Sequence, residues 1–177
     1  MNNNILESGM IQLRALEPDD VELLYRWEND TSNWKVSNTL TPFSKYILAR
    51  YIRNSHRDIY EAKELRLIVV NKSDNRPVGT IDLFDFDPFN KRAGIGILIA
   101  AENDRKKGIA SETLMLVIRY AFGTLGLHQL FCNITAENEV SLKLFRKHGF
   151  EISGTKKEWN KTGDAWTEEY FLQLINK

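Results

Sequence analysis

The chain of 177 residues holds a single cysteine, Cys132. An internal disulfide framework is therefore excluded, and without a CxxC pair there is no thiolate metal site. Cys132 sits in an apolar run, and a lone unpaired thiol fits a reducing, cytoplasmic setting. Charge of one sign is not in excess, since 24 Lys plus Arg balance 24 Asp plus Glu. That balance argues against a surface built for nucleic acid or an anionic membrane. No apolar stretch approaches the roughly 18 residues of a membrane span, and Met1–Met10 lacks the basic start and apolar middle of a signal peptide. Proline is scarce, its four copies falling at turns or helix starts. Linkers, repeats and low-complexity segments are absent, so residues 1–177 read as one domain. What is present, 42% hydrophobic and 27% charged residues, is the composition of a globular protein.

Periodicity sets the order of elements. Met10–Leu16 alternates like an edge strand, and the EPDD that follows opens a helix running to about Asn29. Thr41 and Pro42 read as cap and first position of a second helix, whose buried face is Ile47, Leu48, Tyr51 and Ile52. Leu65–Val70, Val78–Phe86 and Arg92–Ala100 form a meander across the turns NKSDNRP and DPFNK. A helix over Ile109–Phe122, a strand over Leu130–Thr135 and a helix over Asn138–His148 closed by Gly149 come next. Two strands across the turn Asn160–Asp164 end the pattern. The order βααβββαβαββ implies an α/β (α+β) fold: a mixed, mostly antiparallel seven-stranded sheet with about four helices and one parallel strand-helix-strand unit.

The segment ILIAAENDRKKGIASETL carries the chemistry. A buried strand ends, the cations Arg105, Lys106 and Lys107 follow, and Gly108 opens a helix. Free N–H groups and the positive end of a helix attract phosphate, and glycine lets it approach closely. A solvated basic turn with an incidental glycine is the bland alternative. GxxxxGK[ST] is not met here, and Gly94-Ile95-Gly96 lacks the third glycine of a dinucleotide fingerprint.

Arg105-Lys106-Lys107-Gly108-Ile109-Ala110 resembles the R/Q-x-x-G-x-G/A pyrophosphate loop of the GCN5-related N-acetyltransferase (GNAT) family. The segment Asn138–Phe150, about 30 residues on, is similar to that family's N-x-x-[AS]-x-x-[LIVM]-[YF]-x-[KR]-x-G-F signature. Similarity runs from about Met10 to Leu174, nearest to the branch of ribosomal-protein alanine N-acetyltransferases and spermidine N-acetyltransferases. The resemblance implies a cytoplasmic N-acetyltransferase that moves an acetyl group directly from acetyl-CoA to a primary amine. A catalytically idle acyl-CoA-binding module of the same fold is the alternative. It further implies a bulge near Gly94 and Gly96 that splays the sheet, baring main chain at Leu98, Ile99 and Ala100 for the pantetheine. Arg105, Lys106, Lys107, Gly108, Ile109, Ala110 and Ser111 would hold the pyrophosphate, with Asn138 and Lys147 reaching over from the next helix and Phe145 packing beside the coenzyme. Asn138 is equally a plain helix cap. Acetyl-CoA and an amine are the implied partners, with no metal, nucleic acid or membrane and with a homodimer allowed.

Two departures stand out. Where many family members carry a glutamate base and a tyrosine acid, this chain has Gly94 and Phe145. Asp82 and Asp85 are the substitute candidates for base or amine recognition, although strand-end solvation explains them as well. Period two puts them on opposite faces unless the strand bulges. Trp34 is the candidate acceptor contact, in the loop WKVSNTLTPF that the family places over the acceptor, while Trp27, Trp159 and Trp166 read as core or cleft wall. His56, His128 and His148 show no ligand spacing. An alkyl amine of pKa about 10.4 is only about 0.1% neutral near pH 7.4, a handicap of about 4 kcal/mol, against under about 1 kcal/mol for a peptide α-amine. That difference, and a loop with a lysine and no acid, place a peptide α-amine or another small amine ahead of a polyamine.

Overall fold

A computed structural model describes residues 4–37 and 39–177, with backbone alone at 35 and 36. Its strands are β1 (Ile11–Arg14), β2 (Leu65–Asn71), β3 (Arg76–Asp87), β4 (Arg92–Ile99), β5 (Gln129–Thr135), β6 (Glu151–Thr162) and β7 (Ala165–Ile175). Its helices are α1 (Val21–Glu28), α2 (Thr31–Ser37), α3 (Lys45–Asn54), α4 (Ile59–Ala62), α5 (Ile109–Gly123) and α6 (Glu139–Lys147). The seven strands lie in the order β1-β2-β3-β4-β5-β7-β6, antiparallel throughout except for β4 beside β5.

The expected strands all form, whereas two short helices, α2 and α4, add to the expected four. Each begins at an aspartate. Asp30 accepts from the Ser32 N–H at 3.0 Å and Asp58 from the Glu61 N–H at 3.0 Å, satisfying donors that a helix start leaves free. The start of α3 also differs from expectation. Its cap is Ser44, accepting from the Ile47 N–H at 3.2 Å, and not Thr41. Consequently Leu48 and Ile52 are buried, Tyr51 is half-buried, and Ile47 faces solvent.

Alternation along the strands builds two cores. Leu67, Val69, Ile81, Leu83, Ile95, Leu130, Cys132 and Leu172 join Ile109, Leu116, Val117 and Phe145 of α5 and α6 on one face of the sheet. The intervening residues Ile68 and Val70 point the other way and meet Leu24 of α1 with Leu48 and Ile52 of α3. The opposite face therefore has helices over the β2 side. Toward β5 and β7 it carries Gln129, Phe131, Phe171 and Gln173 around an open cavity of about 400 Å³.

Candidate active site

Pairing between β4 and β5 runs only from Arg92–Gln129 to Gly94–Phe131. Beyond Gly94 the two strands part. On its other edge β4 stays paired to β3, and the Ala100 N–H donating to the Val78 carbonyl at 3.0 Å fixes the phase of that ladder. Antiparallel ladders alternate, so the N–H groups of Leu98 and Ala100 face β3 while those of Ile97 and Ile99 face the opening, where the Ile99 carbonyl is already taken by Arg105. Of Leu98, Ile99 and Ala100, Ile99 has its N–H toward the opening, and Ile97 joins it there.

The expected bulge is displaced as well. It lies in β3 between Phe84 and Asp87, with Asp85 in left-handed backbone at φ 49°, and not in β4. Gly94 has a different task. A Cβ placed there would stand 2.2 Å from Cε2 of Phe84, so the Phe84 ring occupies the space of a side chain at 94. The ring also covers Gly96, whose added Cβ would be 3.7 Å from Phe84 Cε1. A glutamate at 94 would have to displace the Phe84 ring.

At the wide end of the opening, Gly108 caps α5 in left-handed backbone, φ 86°, and Lys106 is left-handed at φ 60°. No side chain caps α5, leaving the N–H groups of Ile109, Ala110 and Ser111 without helical acceptors. Lys106 and Lys107 are exposed beside them, and the Lys147 ammonium donates to Ser111 Oγ at 3.3 Å. Asn138 caps α6 by accepting from the Ser141 N–H at 3.1 Å, so the cap reading of this residue is realised. Phe145 is buried in the core, edge to face with Phe150 at 5.0 Å between centroids.

Arg105 behaves unlike its lysine neighbours. Its Nε donates to the Ile99 carbonyl at 3.0 Å, and its Nη2 donates to Asn33 Oδ1 at 3.0 Å and to the Ala100 carbonyl at 3.2 Å. The guanidinium fastens buried Asn33 of α2 to the end of β4. A second clamp lies below it. Arg76 makes a two-pronged bond to Asp104, at 2.9 and 2.7 Å, tying β3 to the turn before Arg105 and holding the Asp104 carboxyl below its usual range. Sequence reasoning passed over Asn33, Arg76, Asp104, Phe84 and His148. His148 Nε2 lies 2.8 Å from Ser111 Oγ, and burial, then Lys147, lowers its pKa. Its place right after Lys147 was the only signal available.

On the face of the sheet that carries α1, both oxygens of Asp82 are taken by Arg66, Nε at 2.6 Å and Nη2 at 3.0 Å, and Arg66 Nη1 reaches the Glu28 carboxylate. Asp82 is thus half of a clamp between β2, β3 and α1. Asp85 stands apart, at the bulge and on the open cavity. Trp34 lies on α2, half-buried, its Nε1 donating to the Glu28 carbonyl at 2.8 Å, while Lys35 and Asn38 of the same segment lie outside the described side chains. Trp159 and Trp166 are 57% exposed on β6 and β7, which corrects their reading as core or cleft wall. Burial pushes the Cys132 thiol up to about 12, which removes it as a nucleophile.

A strand pair that opens beside an uncapped, glycine-led helix is the frame expected of an acyl-CoA site, and residues 11–151 match the family model of the acetyltransferase (GNAT) domain. The chain belongs to the GNAT acetyltransferases. An uncharacterized N-acetyltransferase, p20, of Bacillus licheniformis is 27% identical, over 97% of this chain and 96% of that protein. The spermidine N(1)-acetyltransferase of Escherichia coli K12 is 26% identical, over 81% of this chain and 74% of its own length. Among solved structures, a spermidine N-acetyltransferase from Vibrio cholerae in complex with CoA and spermine superposes with a TM-score of 0.84 at 21% identity, covering 95% and 96% of the two chains. A dodecameric form of the Vibrio cholerae protein gives 0.78 at 22% identity, with 95% of each chain covered. Like those relatives by name, this GNAT protein is an N-acetyltransferase.

Proposed function

We propose that residues 1–177 act as one cytoplasmic domain carrying an acetyl group from acetyl-CoA directly to a primary amine, a peptide α-amine or a small amine such as a polyamine. The observation that carries this reading is the end of β4–β5 pairing at Gly94, which leaves the Ile97 peptide groups and the Ile99 N–H facing an opening that leads to the start of α5. The Ile97 peptide groups and the Ile99 N–H would pair with the amides of the pantetheine. Ile109, Ala110 and Ser111 would donate N–H groups to the pyrophosphate, with Gly108 giving room and Lys106, Lys107 and Lys147 giving charge. In this reading Arg105 and Asn138 hold the frame, and Phe145 backs it.

In the reaction the amine nitrogen attacks the thioester carbonyl carbon, the N–C bond forms and the C–S bond breaks, with CoA leaving as a thiolate that takes a proton from water. An N–H of the unpaired β4 segment is the donor nearest to hand for the developing oxyanion. Asp82 is occupied by Arg66 and the Phe84 ring takes the side-chain space at 94, so the amine proton leaves to water and the amine must arrive neutral. Trp34, pinned to the end of α1, forms the rim of the acceptor side. A second copy of the chain is the macromolecular partner in this reading. The edge strand β6 exposes Ile152 and Trp159, and a solved relative is dodecameric. Thiol release from acetyl-CoA over a panel of peptides, amino acids, aminoglycosides and polyamines tests the proposal. Release that requires one of these amines is the expected result, and acetyl-CoA binding with no release by any amine would overturn it.

A further inference from the structure

On the open face of the sheet, Phe131 stands opposite Gly94 at the point where β4 and β5 part, and it also lines the cavity of about 400 Å³. The cavity therefore borders the residue pair at which the two strands part. Its inner wall is aromatic: Phe131 and Phe171 lie 5.5 Å apart between centroids with planes tilted by 31°, and Phe84 meets Phe131 edge-on at 6.0 Å. Most of its polar groups already answer one another. Gln173 Nε2 donates to Gln129 Oε1 at 2.6 Å, and the Asp87 carboxylate accepts from Asn90 at 2.9 and 2.7 Å with Arg92 at 3.3 Å.

Asp85 is the exception. The β3 bulge turns it onto the cavity, and among the described residues its carboxylate has no hydrogen bond or ion pair. An unpaired carboxylate beside two ring faces favours a cation over a neutral or anionic group, since ring quadrupole and carboxylate attract the same charge. Resting on the acetyl transfer proposed above, the geometry points to an acceptor with a second cationic group, an ammonium or guanidinium, seated at Asp85 against Phe131 and Phe171 while the primary amine lies at the β4–β5 opening. The class is a short chain amine with charge at both ends. A peptide α-amine followed by neutral or acidic residues falls outside it.

Three probes of one length separate the possibilities: pentylamine, 1,5-diaminopentane and 5-aminopentanoate, titrated calorimetrically into the CoA-loaded protein and then assayed for acetylation. The diamine is expected to bind at least about tenfold more tightly than pentylamine, and the amino acid more weakly than either; tenfold is about 1.4 kcal/mol, within reach of one carboxylate and two rings. In Asp85→Asn, which tolerates the left-handed backbone as aspartate does, the diamine-to-pentylamine ratio should fall toward one, with CoA affinity as the control for folding. Equal binding of diamine and pentylamine, no measurable binding of the diamine, or a preference that survives Asp85→Asn would overturn the subsite. Acetylation of pentylamine as efficiently as the diamine would leave the transfer reading standing and remove the subsite. A diamine preference without acetylation of any probe would do the reverse.

Discussion

In the proposed arrangement, the coenzyme side of the β4–β5 opening is made of main chain and the acceptor side of side chains. On the first, the groups available for binding are the Ile97 peptide groups, the Ile99 N–H and the free N–H groups of Ile109–Ser111, while Arg105, Arg76 and Asn138 hold those groups in place. On the second, Phe84 fills the space over Gly94, Asp82 is clamped by Arg66, and Asp85 alone of the candidate carboxylates is unengaged. A site of main-chain donors changes little when side chains are substituted. A site of side chains can change its ligand by a few substitutions.

Variants that act on one side only sharpen this contrast, and Phe145 has the largest expected effect. Truncating this buried ring in Phe145→Ala should cost about 3–5 kcal/mol in denaturant unfolding and weaken acetyl-CoA, because α6 packs behind the opening. Phe145→Tyr should keep most of that stability. A modest rise in kcat would place its hydroxyl at the leaving sulfur, and an unchanged kcat with lost stability would place it in the core alone.

Gly108→Glu comes next. Wild-type protein should gain about 2.7 kcal/mol at a hundredfold excess of acetyl-CoA over its dissociation constant, and the variant should lose that gain, since its carboxylate takes the phosphate position. A preserved thermal shift would break the coenzyme half of the comparison. Gly94→Ala tests the other half. Its Cβ collides with the Phe84 ring and should destabilise the fold by about 1–3 kcal/mol, with recovery when Phe84→Ala is added. Chemical denaturation of the two single variants and the pair measures this directly, and additive losses would mean that the ring is not what occupies the space.

Asn33→Ala should cost about 1–3 kcal/mol by stripping an acceptor from Arg105. More telling is the split in kinetics. KM for the amine should rise while acetyl-CoA affinity holds, because Asn33 belongs to α2 on the acceptor side. The smallest effect concerns His148, whose lowered pKa in the folded state works against stability in acid. The unfolded chain takes up its proton near pH 6.5 and the folded chain only at lower pH, so stability should decline as pH falls below about 6.5 and level off once the folded histidine is also charged. Urea unfolding of wild type and His148→Gln across that range should show the decline in the former alone.

The same contrast explains how much was legible in the sequence. The strand order could be read because alternation and turn residues are local, and the phosphate loop because glycine, cations and helix start are consecutive. The bulge was misplaced. Glycines at 94 and 96 signal close approach without naming what approaches, and the answer, Phe84, comes from the neighbouring strand. Likewise nothing near Asp82 in sequence announces Arg66, 16 positions away, nor does anything near Arg105 announce Asn33, 72 positions away. Period two set Asp82 and Asp85 on opposite faces unless a bulge intervened, and the bulge at Asp85 supplies that exception. The helix α2 was missed because its run is short and its cap, Asp30, also suits a turn.

The central claim is that acetyl-CoA is held by main chain laid bare where β4 leaves β5. Residue-resolved amide exchange by NMR, with and without saturating acetyl-CoA, tests it most directly. New protection is expected at Ile97 and Ile99 and at Ile109, Ala110 and Ser111, with little change at Leu98 and Ala100, whose N–H groups already face β3. Protection confined to other segments, or equal gains at Leu98 and Ile97, would contradict it.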